Sequence, residues 1–195
     1  WIAAIHVFAI IAGAGTAMLL LRELPGINRL DGLTLPQVSV LEDRNGAGLH
    51  SYAEQKRIPV ALRDVSPWLI KSIVATEDPR FLRHFGIDPI AVARAALRNV
   101  TAARRAEGAS TITMQLARDE FLHRRKTYSR KMLEAVYATQ LEMHYSKEDI
   151  LTQYCNRIYL GHGRYGVESA SLHYFGKHAK DLDLPESALL AGLIN

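Results

Sequence analysis

The stretch ATEDPRFLRHFGID, Ala75 to Asp88, closes an apolar run with two adjacent carboxylates and then breaks at a proline. Upstream, PWLIKSIVATE has helical periodicity. It must stop at Asp78, because the residue before Pro79 is disfavoured in the α region. Downstream, Asp88 and Pro89 read as the N-cap and first helical residue of DPIAVARAALRNV. The break between these helices holds Glu77, Asp78, Phe81, His84 and Gly86. Glu77 falls in the last turn of its helix, where the dipole is negative, with Ile73 and Val74 close behind. Both features make a carboxylate there a better proton acceptor, as a general base must be. A solvated carboxylate at a helix end shows the same local pattern.

Working outward, the C-terminal side reads as helices throughout. Ser110 is placed to cap TITMQLARDEFL, and on that helix Thr111, Gln115 and Arg118 share one side at spacings of four and three. A hydroxyl, an amide and a cation in a row suit sugar hydroxyls and an anion, or simply water. TYSRKMLEAVYATQLEMHY is a long amphipathic helix with Met132, Val136, Tyr137 and Leu141 on one side. SKEDILTQYCNRIYL opens with a Ser-x-x-Asp capping pattern. GHGRYG is a glycine-rich loop, and LPESALLAGLI is a last helix.

Five cations, Arg124, Arg125, Lys126, Arg130 and Lys131, precede or begin the long helix. Cations oppose the positive end of a helix dipole, so stability alone would place acids there. Together with free N–H groups they suit a phosphate or diphosphate. Glu134 lies four residues beyond Arg130 and three beyond Lys131, on the same face. A solvated face with ordinary ion pairs, or a basic patch on a membrane surface, fits the same residues.

On the N-terminal side, the first 21 residues, WIAAIHVFAIIAGAGTAMLLL, carry no formal charge. About 20 residues cross a hydrocarbon core, whereas a cleaved signal peptide has an apolar region of only about 7–15, so the run reads as a transmembrane anchor. Residues 22–65 follow as a membrane-proximal linker with a short β-hairpin, strands near Val38–Leu41 and Leu49–Tyr52 flanking Asn45-Gly46. Residues 66–195 read as one helical domain that holds the candidate catalytic residues, and its end at Asn195 reads as a truncation.

With 195 residues and a net charge of +4, the chain can bury a core and leans toward anionic partners. The single cysteine, Cys155, excludes an internal disulfide and reads as a buried, inert thiol. No metal-ligand spacing, phosphate-binding loop or RNA motif occurs, so no metal residue is assigned and nucleic acid is not a partner.

Together these stretches resemble the peptidoglycan glycosyltransferases, the transglycosylase modules of class A penicillin-binding proteins and their monofunctional relatives. EDPRFLRHFGID matches the first family motif at Glu77, Asp78, Phe81, His84 and Gly86. GASTITMQLAR matches the second at Gly108, Ser110, Thr111, Ile112, Thr113 and Gln115. RKMLE matches the third, YCNRIYLGHGRYGVESAS resembles the fourth and LPESALLAGLI the fifth. Five motifs in order are very specific. Met114, Arg118, Asp119, Thr152 and Cys155 depart from the family's commoner residues, and Asp119 adds negative charge near a diphosphate site.

The resemblance implies a mainly α fold: a lysozyme-like helical lobe, a smaller membrane-proximal lobe, the β-hairpin and the N-terminal transmembrane helix. It implies an enzyme that polymerises lipid II in bacterial cell-wall synthesis. Glu77 and Glu134 would be catalytic, with Asp78, Phe81, His84, Gly86, Ser110, Thr111, Gln115, Arg118, Lys126, Arg130, Lys131 and Asn156 serving the substrate. No cofactor is required, although a divalent cation (Mg or Mn) on the substrate diphosphate is compatible with it. Partners would be lipid II, the growing lipid-linked glycan chain and the membrane, with other cell-wall synthesis proteins a further class. The location implied is the outer, periplasmic face of the bacterial cytoplasmic membrane, on a single-pass anchor. A lysozyme-like lytic enzyme would need an acid but no cation cluster. A non-enzymatic wall-binding scaffold would need neither glutamate.

Overall fold

The computed structural model describes residues 39–44, 48–52, 56–101, 108–122 and 128–194. The anchor expected over residues 1–21, the Asn45-Gly46 turn and Lys126 lie outside them. Among the described residues no helix is long and apolar enough to cross a membrane.

The architecture is mainly helical, with seven α-helices among the described residues: α1 (Pro67–Glu77), α2 (Pro89–Thr101), α3 (Ile112–Phe121), α4 (Tyr128–His144), α5 (Lys147–Arg157), α6 (Val167–Phe175) and α7 (Leu184–Gly192). Strands β1 (Ser39–Glu42) and β2 (Gly48–Tyr52) pair antiparallel, Ser39 opposite Tyr52, with the register shifting between Leu41 and Glu42. A second pair, β3 (Lys56–Arg57) and β4 (Arg164–Tyr165), is parallel. This pairing was not foreseen. It joins the segment before Ser66 to the glycine-rich loop, across more than a hundred residues.

Local chemistry sets the helix ends. The Ser66 side chain accepts from Trp68 N–H with Pro67 in the first turn, and α1 stops at Asp78 as Pro79 requires. Asp88 Oδ1 accepts from Ile90 and Ala91 N–H at the start of α2. Ser146 and Asp149 form a reciprocal capping box on α5, and Asp183 with Glu186 does the same on α7. At α3 the expected cap is corrected by one residue. Thr111, not Ser110, accepts from Met114 N–H, because the Ser110 hydroxyl is held by Lys131.

α1 packs on α7, and α3 packs against both α4 and α5. Leu69 and Ile73 of α1 and Leu190 and Ala191 of α7 are buried. Each fully buried Leu or Ile contributes roughly 1.5–3 kcal/mol, so this contact anchors α1 against α7. Ser66 ties the start of α1 to the segment before α7, its N–H donating to Ala179 O and its hydroxyl to Leu182 O. α3 is the central helix, with Ile112, Thr113, Met114, Leu116 and Ala117 buried. The buried side of α4 is Glu134, Tyr137, Ala138 and Leu141. Met132, expected on that side, is 64% exposed. It stands about half a turn from Glu134 at 100° per residue, so the stripe runs through a carboxylate that apolar periodicity passes over.

Candidate active site

The end of α1 delivers Glu77 to the side of α3. Gln115 Nε2 donates to Glu77 Oε2 at 2.8 Å, while Gln115 Oε1 accepts from the buried Tyr154 hydroxyl of α5 at 3.1 Å. Burial pushes the Tyr154 phenol pKa up, and the negative charge of Glu77 pushes it the same way. Glu77, Arg80, Arg94, Gly108 and Ser110 line one cleft at the break in the chain. Asp78 and Asp88 line it as well, and Asp88 pairs with Arg80 at 3.3 Å, so three carboxylates and two arginines meet there.

Beside Glu77 the chain turns inward. Asp78 is buried, receives His84 Nε2 at 2.9 Å and accepts from Ile112 N–H, the first residue of α3, at 3.1 Å. The Phe81 ring is buried edge-on to His84. Lys147 Nζ lies 4.3 Å over it, held there by Glu142 at 2.7 Å. Glu142 also accepts from the Thr113 hydroxyl. Gly86 has φ +82, and a Cβ on it would lie 2.8 Å from the Ala138 carbonyl of α4, so only glycine allows this approach. Thr111 Oγ1 completes the joint by donating to Gly86 O at 2.6 Å. Asp78, Phe81, His84, Gly86 and Thr111 thus brace the loop that follows Glu77.

The third cluster lies on α4. Glu134 is fully buried, with Lys131 Nζ 2.6 Å from Oε2 and Arg130 3.5 Å from Oε1. Lys131 Nζ also donates to Ser110 Oγ at 2.5 Å. Since Ser110 lines the cleft that holds Glu77, one lysine links the two glutamates' surroundings.

Comparison with known proteins decides the family. The transglycosylase family model matches residues 45–195. The chain belongs to the transglycosylase family. It is 45% identical over 172 residues to penicillin-binding protein 1A of Aquifex aeolicus, covering 88% of this chain and 24% of that protein. It is 48% identical over 161 residues to penicillin-binding protein 2D of Bacillus subtilis, covering 82% and 23%. With penicillin-binding protein 1A of Escherichia coli it shares 40% over 191 residues, covering 96% and 22%. The chain spans about a quarter of the length of these curated relatives.

Within this transglycosylase, Asn156, Thr111 and Arg118, all assigned to the substrate, are also engaged by other parts of the protein. Both side-chain amide atoms of Asn156 bond the Val60 backbone, each at 2.8 Å, clamping the segment before α1 to α5. A Cβ on Gly166 would lie 2.8 Å from Asn156 O, so the glycine-rich loop presses on the same point. Thr111 is occupied as cap and brace, which removes it from the polar row expected with Gln115 and Arg118. Arg118 Nε pairs with Asp119 Oδ1 at 3.0 Å, so the acid at this departure takes up part of the arginine's charge. Met114, another departure, is buried in the core. Sequence reasoning missed Tyr154, Arg80 and Arg94. Arg94 was detectable: Asp88, Ala91 and Arg94 recur every three residues, and all three line the cleft.

Proposed function

We propose that this transglycosylase polymerises lipid II into β-1,4-linked glycan strands in bacterial cell-wall synthesis. Glu77 accepts the proton of the acceptor sugar's 4-hydroxyl. That oxygen bonds to the donor's anomeric carbon from the face opposite the lipid diphosphate, the carbon–phosphate oxygen bond breaks, and the centre inverts. The logic is that of an inverting glycosidase with a sugar hydroxyl in place of water. Arg130, Lys131 and Lys126 offset the charge of the departing diphosphate, where electrostatic stabilisation matters most. Glu134 holds Arg130 and Lys131 in place, and Arg94 adds a cation to the cleft beside Glu77.

One observation carries this reading: Lys131 bridges buried Glu134 to Ser110, on the wall of the cleft that contains Glu77. A lytic enzyme acting on an uncharged glycosidic bond has no use for that cation. The reading includes a lysozyme-like helical lobe with a membrane-proximal lobe around β1 and β2, a single-pass anchor over residues 1–21, and a site on the periplasmic face of the cytoplasmic membrane. Lipid II, the growing glycan chain and the membrane are the partners. A divalent cation, where used, accompanies the substrate diphosphate. The test is incubation with lipid II in detergent followed by separation of polymer from monomer. Polymer supports the reading, and unchanged lipid II or cleaved monomer overturns it.

A further inference from the structure

Behind the base runs a hydrogen-bonded relay drawn from three helices. The Tyr154 hydroxyl of α5 lies 3.1 Å from Gln115 Oε1 of α3, and Gln115 Nε2 lies 2.8 Å from Glu77 Oε2 at the end of α1. An ionised carboxylate only accepts, so it must face the amide's NH2 group. The amide carbonyl then faces the phenol, which must donate. The phenol remains protonated because burial and the Glu77 charge both raise its pKa; Asp119 acts in the same direction and Arg118 against it.

Resting on the functional reading above, we propose that Tyr154 is a positioning residue for the base. Its hydroxyl locks the Gln115 amide with N–H toward Glu77 Oε2 and so holds the carboxylate in its working orientation. The relay also accommodates the product of proton transfer. Once the acceptor's proton has moved to Glu77, the carboxyl group becomes a donor. A half-turn of the amide presents its carbonyl to Glu77 and its NH2 to the phenol oxygen, which now accepts. Each of the three side chains keeps a hydrogen bond to its neighbour in the relay in both protonation states. A phenylalanine at position 154 could serve neither state, and a lysine could not accept.

The experiment measures kcat and KM for lipid II polymerisation in Tyr154→Phe, Gln115→Leu and the double variant, with melting curves for each. Tyr154→Phe is expected to lower kcat roughly tenfold and to leave KM within about twofold, as for a lost hydrogen bond that matters in the transition state. In the Gln115→Leu background the same change should cost less than about twofold further, because its route to Glu77 is gone. Multiplicative losses in the double variant overturn the relay. If Tyr154→Phe proves too unstable to assay, the Gln115 side-chain amide decides the matter by NMR in the parent protein. Resolved, exchange-protected NH2 resonances support the relay, and rapidly exchanging ones overturn it. An inactive parent sinks the functional reading and this inference with it, whereas an active parent with multiplicative losses sinks the relay alone.

Discussion

Lys131 Nζ stands 2.6 Å from Glu134 Oε2, and the carboxylate it holds is 1% exposed. A cation at an exposed helix start contributes little to stability, but one that neutralises a buried acid does. Removing one partner of a buried pair leaves a charge uncompensated. Here Lys131 is itself 41% exposed and Arg130 remains on the other oxygen, so the effect is moderated. Lys131→Ala is expected to cost about 1–2 kcal/mol in thermal melting, in addition to a strong loss of turnover. An unchanged melting temperature would show that Glu134 is not held by Lys131.

Asp78 is expected to act through the fold. It joins His84 to the first N–H of α3, and all three groups are buried. Asp78→Ala strands both donors and should cost about 2–4 kcal/mol without any substrate present. A variant that melts like the parent yet fails to turn over would return Asp78 to the substrate.

Gly86 carries two constraints at once, a left-handed φ of +82 and a 2.8 Å approach to the Ala138 carbonyl. The conformational penalty alone is about 1 kcal/mol, and the clash with backbone adds to it. Gly86→Ala should therefore lower the denaturation midpoint clearly, whereas Gly108→Ala, where a Cβ meets nothing within 4 Å, should not lower it through a clash. Equal midpoints would contradict the packing of the loop on α4.

These sites show what was legible in the sequence. Caps and stops depend on near neighbours, so Asp88-Pro89, the Ser146–Asp149 box and the stop before Pro79 were all readable. The Arg130, Lys131 and Glu134 face followed from helical spacing. Helix periodicity does not say which helix lies opposite, so Tyr154–Gln115 and Asn156–Val60, 39 and 96 residues apart, were invisible. The buried side of α4 was misread because Glu134 occupies a core position that only its two cations permit. By residue type serine is the better cap and threonine a weaker one, and a lysine 21 residues away engages the serine.

Cys155 is fully buried, and burial pushes its thiol from an ordinary 9.0 up to about 12. A thiol held protonated in the folded state does not ionise at pH 8, so it should resist iodoacetamide there and react only in denaturant. The sign for stability follows: the contribution is complete below about pH 9, where both states keep the proton, and is lost as pH rises toward 12. Rapid native-state alkylation at pH 8, read by mass spectrometry, would contradict the burial.

Glu77 bears the account's central claim, that a carboxylate at the end of α1 takes the acceptor's proton during glycan polymerisation. The direct measurement is the rate of lipid II polymerisation by the parent and by Glu77→Gln, with substrate binding and melting temperature measured alongside. General-base contributions are typically about 10²–10⁴-fold, so the variant should lose at least that much rate while lipid II binding and the fold persist. Polymerisation by Glu77→Gln at a near-parental rate would contradict the claim.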